Sequence, residues 1–476
     1  MSQAIDQSRQ PSCPPRFRRW WLYLGIIPLV ILGPLLAIHF IDCAAADRAL
    51  EEAIAEADRL DPGWRLEDIE AKRRQIPDEK NGALIVLSAH RRLPGNWFNV
   101  VEKIEDKLIH PPPVRMDNNL AKELRAALEP AAQAITEARR LAHFRDGRFP
   151  INYAPIPMDT STKDRQKTRD IGWLLAYDGW HLLQEGKFEA AWTSSRAILN
   201  TARSLGDEPL LITQLLRIVL RRFAVSFMER TLAQGIISEP HLEDIQIALT
   251  EEAGEPLLLH VFRGARAGAY KKFLHWEKIG VPWDQLPVSG RGGYWNGARE
   301  RIAGKTAKLK EGNAWTLTFY TKGIEDLKKP GVPRHKLLII FHKIMQEWDK
   351  EPVGWLLLVT PFSIQFEFEM CREMPLHCAF SGIAAERFRL QRNRWPNSLD
   401  ELVKAGLLNE IPIDLMDGKP LRFRRTIDGL VIYSIGADGK YRGDALDDLS
   451  KYDPHQERSE FRLWDVTSRG QASAKP

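Results

Sequence analysis

Residues 419–448 read KPLRFRRTIDGLVIYSIGADGKYRGDALDD. Leu421 to Thr426 and Leu430 to Ser434 alternate as two strands around a turn at Asp428-Gly429, which marks a β-hairpin. Upstream, NRWPNSLDELVKAGLL (393–408) has a turn at Trp395-Pro396 and a capping box, Ser398 with Glu401. It opens a short helix that stops at Gly406. Before that, Leu376, Phe380, Ile383 and Leu390 recur at helical offsets. A long helix, a short helix, a hairpin and an Asp-rich loop predict a small α+β module over 371–455, with 456–476 as a flexible tail. The loop reads as a metal loop, a site rim or a polar turn.

Working back, 169–235 is the clearest helical stretch. IGWLLAYDGWHLLQEGKFEAAWTSSRAILNTARSL (171–205) predicts a helix, a break at Gly186 and a second helix. It resembles a tetratricopeptide-like hairpin, with Gly179 and Ala191 at the small positions and Leu182, Gly186 and Phe188 in pattern. The later alanine and closing proline of that family are missing and no second repeat follows, so an ordinary helical hairpin is the alternative reading. Residues 44–60 predict a helix with Leu50, Ile54 and Ala57 on one face, ended by DPGW (61–64). Residues 65–145 look mainly helical, and 281–334, rich in Gly, Trp and Lys, reads as a long surface loop with short helices. The expected fold is mainly α, with a helical outer domain over 42–370.

At the N-terminus, WWLYLGIIPLVILGPLLAIHFI (20–41) is 22 residues without a charged side chain. As a helix it spans about 33 Å, enough for a hydrocarbon core of about 30 Å. Arg16, Arg18 and Arg19 precede it, while Asp42, Asp47, Glu51 and Glu52 follow. The positive-inside rule therefore makes 1–19 a cytoplasmic tail and 20–41 a single transmembrane anchor, with the bulk of the chain extracytoplasmic. The competing reading is a cleaved signal peptide, with small residues at Ala44 to Ala46; the apolar run exceeds the usual length of such a peptide and favours an uncleaved anchor.

Composition excludes some classes. A formal charge of +5 over 476 residues does not require a nucleic-acid partner. Four cysteines, Cys13, Cys43, Cys371 and Cys378, are too few for a disulfide framework. On one helix Cys371 and Cys378 stand two turns apart, too far to bridge, although Pro375 could break that helix; buried free thiols are the expectation. GRGGYWNG (290–297) lacks the setting of a phosphate-binding loop, and no catalytic signature is present. His335 and His342 share a helical spacing but lack a carboxylate partner for a metal.

The run AAERFRLQRNRWPNSLDELV, followed by IPIDLMDGKPLRFRR and GLVIYSIGADGK, resembles the globular part of the major pseudopilin of type II secretion systems. Trp395-Pro396, Asp414, Gly418, Pro420 and Tyr433 through Gly439 carry the likeness, over about 70 residues. The tail and the stretch ILNTARSLGDEPLLITQLLRI are also similar to large envelope proteins of planctomycete-type bacteria. The resemblance implies a structural calcium ion at Asp438 and the carbonyl of Ile435, with Asp444, Asp447 and Asp448 matching loosely, and oxygen ligands in a flexible loop suit calcium. KYRGDAL alters the family's spacing, so a hydrogen-bonded turn remains the other reading. The chain lacks the leader and first helix of a pseudopilin, so pilin-like processing and polymerisation are not implied. The expected function is a non-catalytic, single-pass envelope protein that binds or assembles with an envelope partner. The alternatives are an extracytoplasmic enzyme with its site in the helical domain, and an accessory subunit of a type II secretion-like system.

Overall fold

The computed structural model describes residues 20–108, 110–280, 305–329, 362–435 and 459–471. Side chains at 20–32, 35, 305–306 and 362–373 lie outside the description. The described chain is mainly helical, with one small antiparallel sheet near its C-terminus.

Helix α1, Trp20–Leu60, is one uninterrupted helix. Its C-terminal half buries Ala46, Leu50, Ala53 and Ala57, which repeat every three to four residues on one face. Asp61-Pro62-Gly63 stops it, with Gly63 at φ +75°. Among the described residues no helix is long and apolar enough to cross a membrane. Most of the apolar run 20–41 falls on side chains outside the description.

The buried face of α1 packs on α12, Lys305–Lys328, which packs in turn on α11, Leu257–Ile279, around Trp64, Phe273, Trp276, Leu309 and Leu317. Helix α12 corrects the expected loop over 281–334: its residues 305–328 are helical, and the rest of that loop lies outside the described residues. Four Thr and two Gly within it lower its intrinsic helix propensity, and packing overrides that cost. Leu309, Ala314, Leu317, Tyr320 and Ile324 are all buried.

The main core is built by α3, Gly82–Arg91, α4, Trp97–Leu108, α5, Asn118–Leu128, α6, Ala132–Arg139, α7, Lys163–Gln184, α8, Phe188–Arg203, α9, Leu211–Gln234, and α10, Glu239–Ala253. The short α2, Leu66–Lys72, follows α1 directly. The predicted hairpin is α7 and α8. Gly186 at φ +73° closes α7, with Lys187 N–H donating to Leu182 O and Gly186 N–H to Leu183 O. Gly179 faces α9: a Cβ there would stand 2.3 Å from the Phe227 ring.

The module begins inside α13, Phe362–Arg392, which carries Pro375 in its interior, and continues through α14, Leu399–Lys404. Strands β1, Arg422–Thr426, and β2, Gly429–Tyr433, pair as the predicted hairpin with Thr426 opposite Gly429. The capping box forms differently from expectation: the Ser398 side chain does not cap the helix, and the Glu401 carboxylate accepts from the Asn397 N–H at 3.1 Å.

A third strand, β3, Glu460–Trp464, pairs with the other side of β2. It corrects the flexible tail, since 460–464 forms a buried strand. Phe461 and Leu463 are fully buried, and Gly382 of α13 lets the Phe461 ring approach so closely that a Cβ would sit 2.4 Å away. Beyond β3 the chain straps back onto the helical body: Gly470 N–H donates to Ala233 O, and Gln471 N–H to Pro113 O at 2.8 Å. The boundary expected at 371 is therefore no boundary between cores. One apolar core runs from α3 through β3, and Arg387 of α13 pairs with Glu239 and Glu243 of α10. Cys378 is a buried free thiol on α13. Burial pushes its pKa well up.

Candidate functional site

Asp438, Asp444, Asp447 and Asp448, the carboxylates of the calcium reading, lie outside the described residues, as do His335 and His342. Ile435 is described: its carbonyl accepts from Ser434 Oγ at 2.9 Å, and its N–H donates to Asp414 Oδ2 at 3.0 Å. Asp414 is fully buried and also accepts from Ser434 Oγ and Met416 N–H, with Arg422 paired to it. The strand-entry motif of the sequence is thus a hydrogen-bonded staple. Asp414 fixes the end of β2 against the turn at Gly418, φ +74°. Among the described residues no group of three or more His, Cys, Asp or Glu could hold a metal ion.

The side chains that do converge come from the helical domain. A cleft of about 160 Å³ opens where the end of α1, the end of α2, the α8–α9 loop and the first turns of α11 meet. Asp61 and the Pro62-Gly63 turn form one wall. Lys72 and Arg73 form a second, Asp207 and Pro209 a third, and His260 and Arg263 the last. Asp61 accepts from Arg263 Nη2 at 2.6 Å and pairs with Arg266 and with Lys328, which stands 3.1 Å away. Burial opposes its charge, yet Arg263, Arg266 and Lys328 outweigh it and bring the pKa to about 2. Arg73 donates from Nε to Asp207 Oδ1 and from Nη1 to Glu70, both at 3.1 Å. Asp207 is half-buried; that partial burial opposes its charge, yet the Arg74 N–H and Arg73 hold its pKa below the usual range.

Two buried carboxylates underpin the cleft. Glu208, beside Asp207, accepts from Arg165 and from Thr213 Oγ1 at 2.7 Å. Glu252, at the end of α10, is fully buried among Arg203, Arg217 and Arg221. Here too burial raises the pKa, and Arg217 with Arg221 and Arg203 drives it down to about 2. Arg217 also donates to Gly206 O at 2.9 Å, tying Glu252 to the loop that bears Asp207.

On the far side of Pro209 lies an apolar groove of about 210 Å³, walled by Pro157, Met158, Leu211, Ile212, Leu215 and Ala265. Gly264 lets α11 approach the loop there: a Cβ would come within 1.7 Å of Pro209 O. Sequence reasoning missed this region because its residues are scattered from 61 to 266 and match no local motif. The only local signals were the helix-ending DPGW and the turn GDEPLL (206–211).

His260 gives the region a pH dependence. Burial lowers its pKa from 6.5 to about 4, helped by Arg217 and Arg263 and opposed by Asp207. Burial does the same to His110, also to about 4. In the unfolded chain both take a proton below about 6.5, so the unfolded state binds more protons than the native one between pH 6.5 and 4. Stability is therefore lost as pH falls through that window. Asp61 and Glu252, with lowered values, add a second loss from about pH 4.5 down to about 2. Melting temperatures measured from pH 8 to pH 3 should fall in these two stages, with the upper stage flattened in His260→Gln/His110→Gln. A single fall confined to below pH 4 would contradict the assignment.

Comparison of the chain with protein-family models, with curated proteins and with solved structures gave no match.

Proposed function

We propose that this chain is a single-pass membrane protein whose helical domain stands outside the membrane and binds a partner or ligand there. The change of character along α1 carries the reading. Its first part, where described, exposes Leu36, Ile38, Phe40 and Ile41 in different directions around the helix, whereas from Ala46 onward only one face is apolar and that face is buried. A helix apolar all round suits lipid, and one apolar on one face suits a protein surface. Continuity of α1 would fix the domain rigidly to its anchor. The arginines at 16, 18 and 19 and the acids after Ile41 favour an outward-facing domain.

Binding fits the domain better than catalysis. Among the described groups of the cleft, the carboxylates Asp61 and Asp207 are held ionised by arginines and His260 is held neutral. None is poised to exchange a proton near neutrality, as general acid–base work requires. A cleft and a groove remain as surfaces for recognition.

The test is fractionation with protease accessibility. The full chain should stay with membranes after an alkaline wash. Protease added outside spheroplasts should digest the helical domain while an N-terminal tag survives. Recovery of the protein in the soluble cytosol would end this reading.

A further inference from the structure

We propose that the cleft between Asp61 and His260 is a binding site for a small soluble oxyanion, a carboxylate or phosphate group carried by a ligand in the compartment the domain faces. The inference rests on the binding reading above; of the membrane placement it uses only the choice of a soluble ligand over a lipid headgroup.

Four observations carry it. Lys72, Arg73 and Arg263 converge on a space of about 160 Å³, large enough for such a group. The guanidinium of Arg73 is almost fully buried, its side chain 1 % exposed, and its Nη2 has no hydrogen-bond acceptor among the described residues. Nε and Nη1 are already taken by Asp207 and Glu70, so Nη2 is the donor left over. A buried donor without an acceptor costs free energy, and a charged one costs more, so the wall of the cleft is chemically incomplete without an acceptor. Lys72 is exposed, and the one hydrogen bond it makes among the described residues goes to Pro62 O at 2.8 Å, a neutral carbonyl and not a carboxylate. Finally, Asp61 pairs with Arg263, Arg266 and Lys328, and Lys328 pairs also with Glu325, so three cations face two carboxylates at the floor of the cleft. Charge-assisted bonds to carboxylate or phosphate are what such an arrangement favours.

Position decides between sources of the anion. Asp61 directly follows α1, so the cleft lies about 29 Å along the helix axis from Ile41, the end of the apolar run. Headgroups of a bilayer holding that run are out of reach, which commits the site to a soluble ligand.

The experiment titrates inorganic phosphate, and separately acetate, into the full chain in detergent micelles, followed by calorimetry and melting temperature. Vesicles of phosphatidylglycerol form a third arm. Saturable binding of phosphate or acetate with a Kd of about 1 mM or tighter is expected, with a matching rise in melting temperature. Lys72→Ala should lower the melting temperature of the ligand-free protein only slightly, through the one exposed hydrogen bond to Pro62 O, and weaken anion binding about tenfold, the loss of one charge-assisted contact. Lys72→Arg should restore most of it. No saturable binding of either anion would overturn the proposal, as would binding indifferent to Lys72→Ala. Binding to anionic vesicles alone would also overturn it. Fractionation failing while phosphate binds would sink the membrane reading and leave this one standing.

Discussion

Deleting residues 459–476 is expected to yield a chain that does not reach its native state, although the deletion removes only the end of the sequence. Glu460–Trp464 is the third strand of the sheet, and it fills the space between β2, α9 and α13. Phe461 and Leu463 are fully buried and Trp464 is 1 % exposed. At roughly 1.5–3 kcal/mol for each large apolar side chain, their loss alone costs about 5–9 kcal/mol. That is comparable to the whole stability of an ordinary domain, roughly 5–15 kcal/mol. Further losses follow. Arg469 donates to Gly235 O and pairs with Glu386, a carboxylate that is fully buried on α13. Arg462 N–H donates to Glu229 Oε1 at 2.9 Å. Without 459–476 the ion pairs that remain are partly stripped, and β2 gains an unpaired edge that invites aggregation. A chain ending at Gln471 is the control and should melt with the full protein. Expression of both forms, with circular dichroism and a melt, checks this. A folded 1–458 chain melting within a few degrees of the control would refute it.

The strand was illegible in the sequence for a physical reason. EFRLW opens on a Glu and carries an Arg among its apolar residues, so within a charged stretch it reads as part of a flexible tail. Its polar positions are nonetheless buried, Arg462 against Asp428 and the backbone of Arg462 against Glu229, and only the tertiary fold reveals those partners. The hairpin before it was legible because period-2 alternation and Asp-Gly are local signals. So was the break between α7 and α8, where Gly186 adopts a positive φ. Helix α12 was hidden behind Gly and Thr, because its stability comes from neighbours α1 and α11 and not from its own propensity. The cleft was the least legible of all. Asp61, Arg73, Asp207 and His260 are ordinary residues in sequence, and they become a site only when four elements meet. The Asp-rich loop offered a dense local pattern, and the part of it that is described, at Ile435, is engaged in the Asp414 staple.

Glu252 is where a single substitution should do most damage. Its carboxylate accepts from Arg217 Nε at 2.9 Å and Nη2 at 2.8 Å, and from Arg203 Nε at 3.0 Å, while Arg221 donates to its backbone carbonyl at 2.9 Å. All three arginines are buried, between 3 % and 7 % exposed. Whether such a cluster stabilises the fold relative to an apolar core is a separate matter, because desolvating the charges offsets much of their attraction. Removing its one central anion has an unambiguous sign. Glu252→Ala leaves three guanidiniums in low dielectric, still partly paired with Glu251 and Glu255 at the rim, and should cost about 3–5 kcal/mol. Glu252→Gln keeps the shape and two of the acceptor contacts but not the charge, so its cost should be nearly as large. Because Arg217 also holds Gly206 O, the loop carrying Asp207 and Pro209 should loosen with it, and the cleft should lose anion affinity along with stability. Denaturant unfolding of the two variants measures the first effect, and phosphate titration of the Gln variant the second. If Glu252→Gln is as stable as the unaltered protein, the cluster is held by packing of the arginine stems, and the low pKa assigned to this carboxyl has no energetic counterpart. If instead Glu252→Gln is destabilised and the loss shrinks as pH falls toward 2, where the native carboxyl is itself protonated, the charge is what holds α8, α9 and α10 together under the cleft.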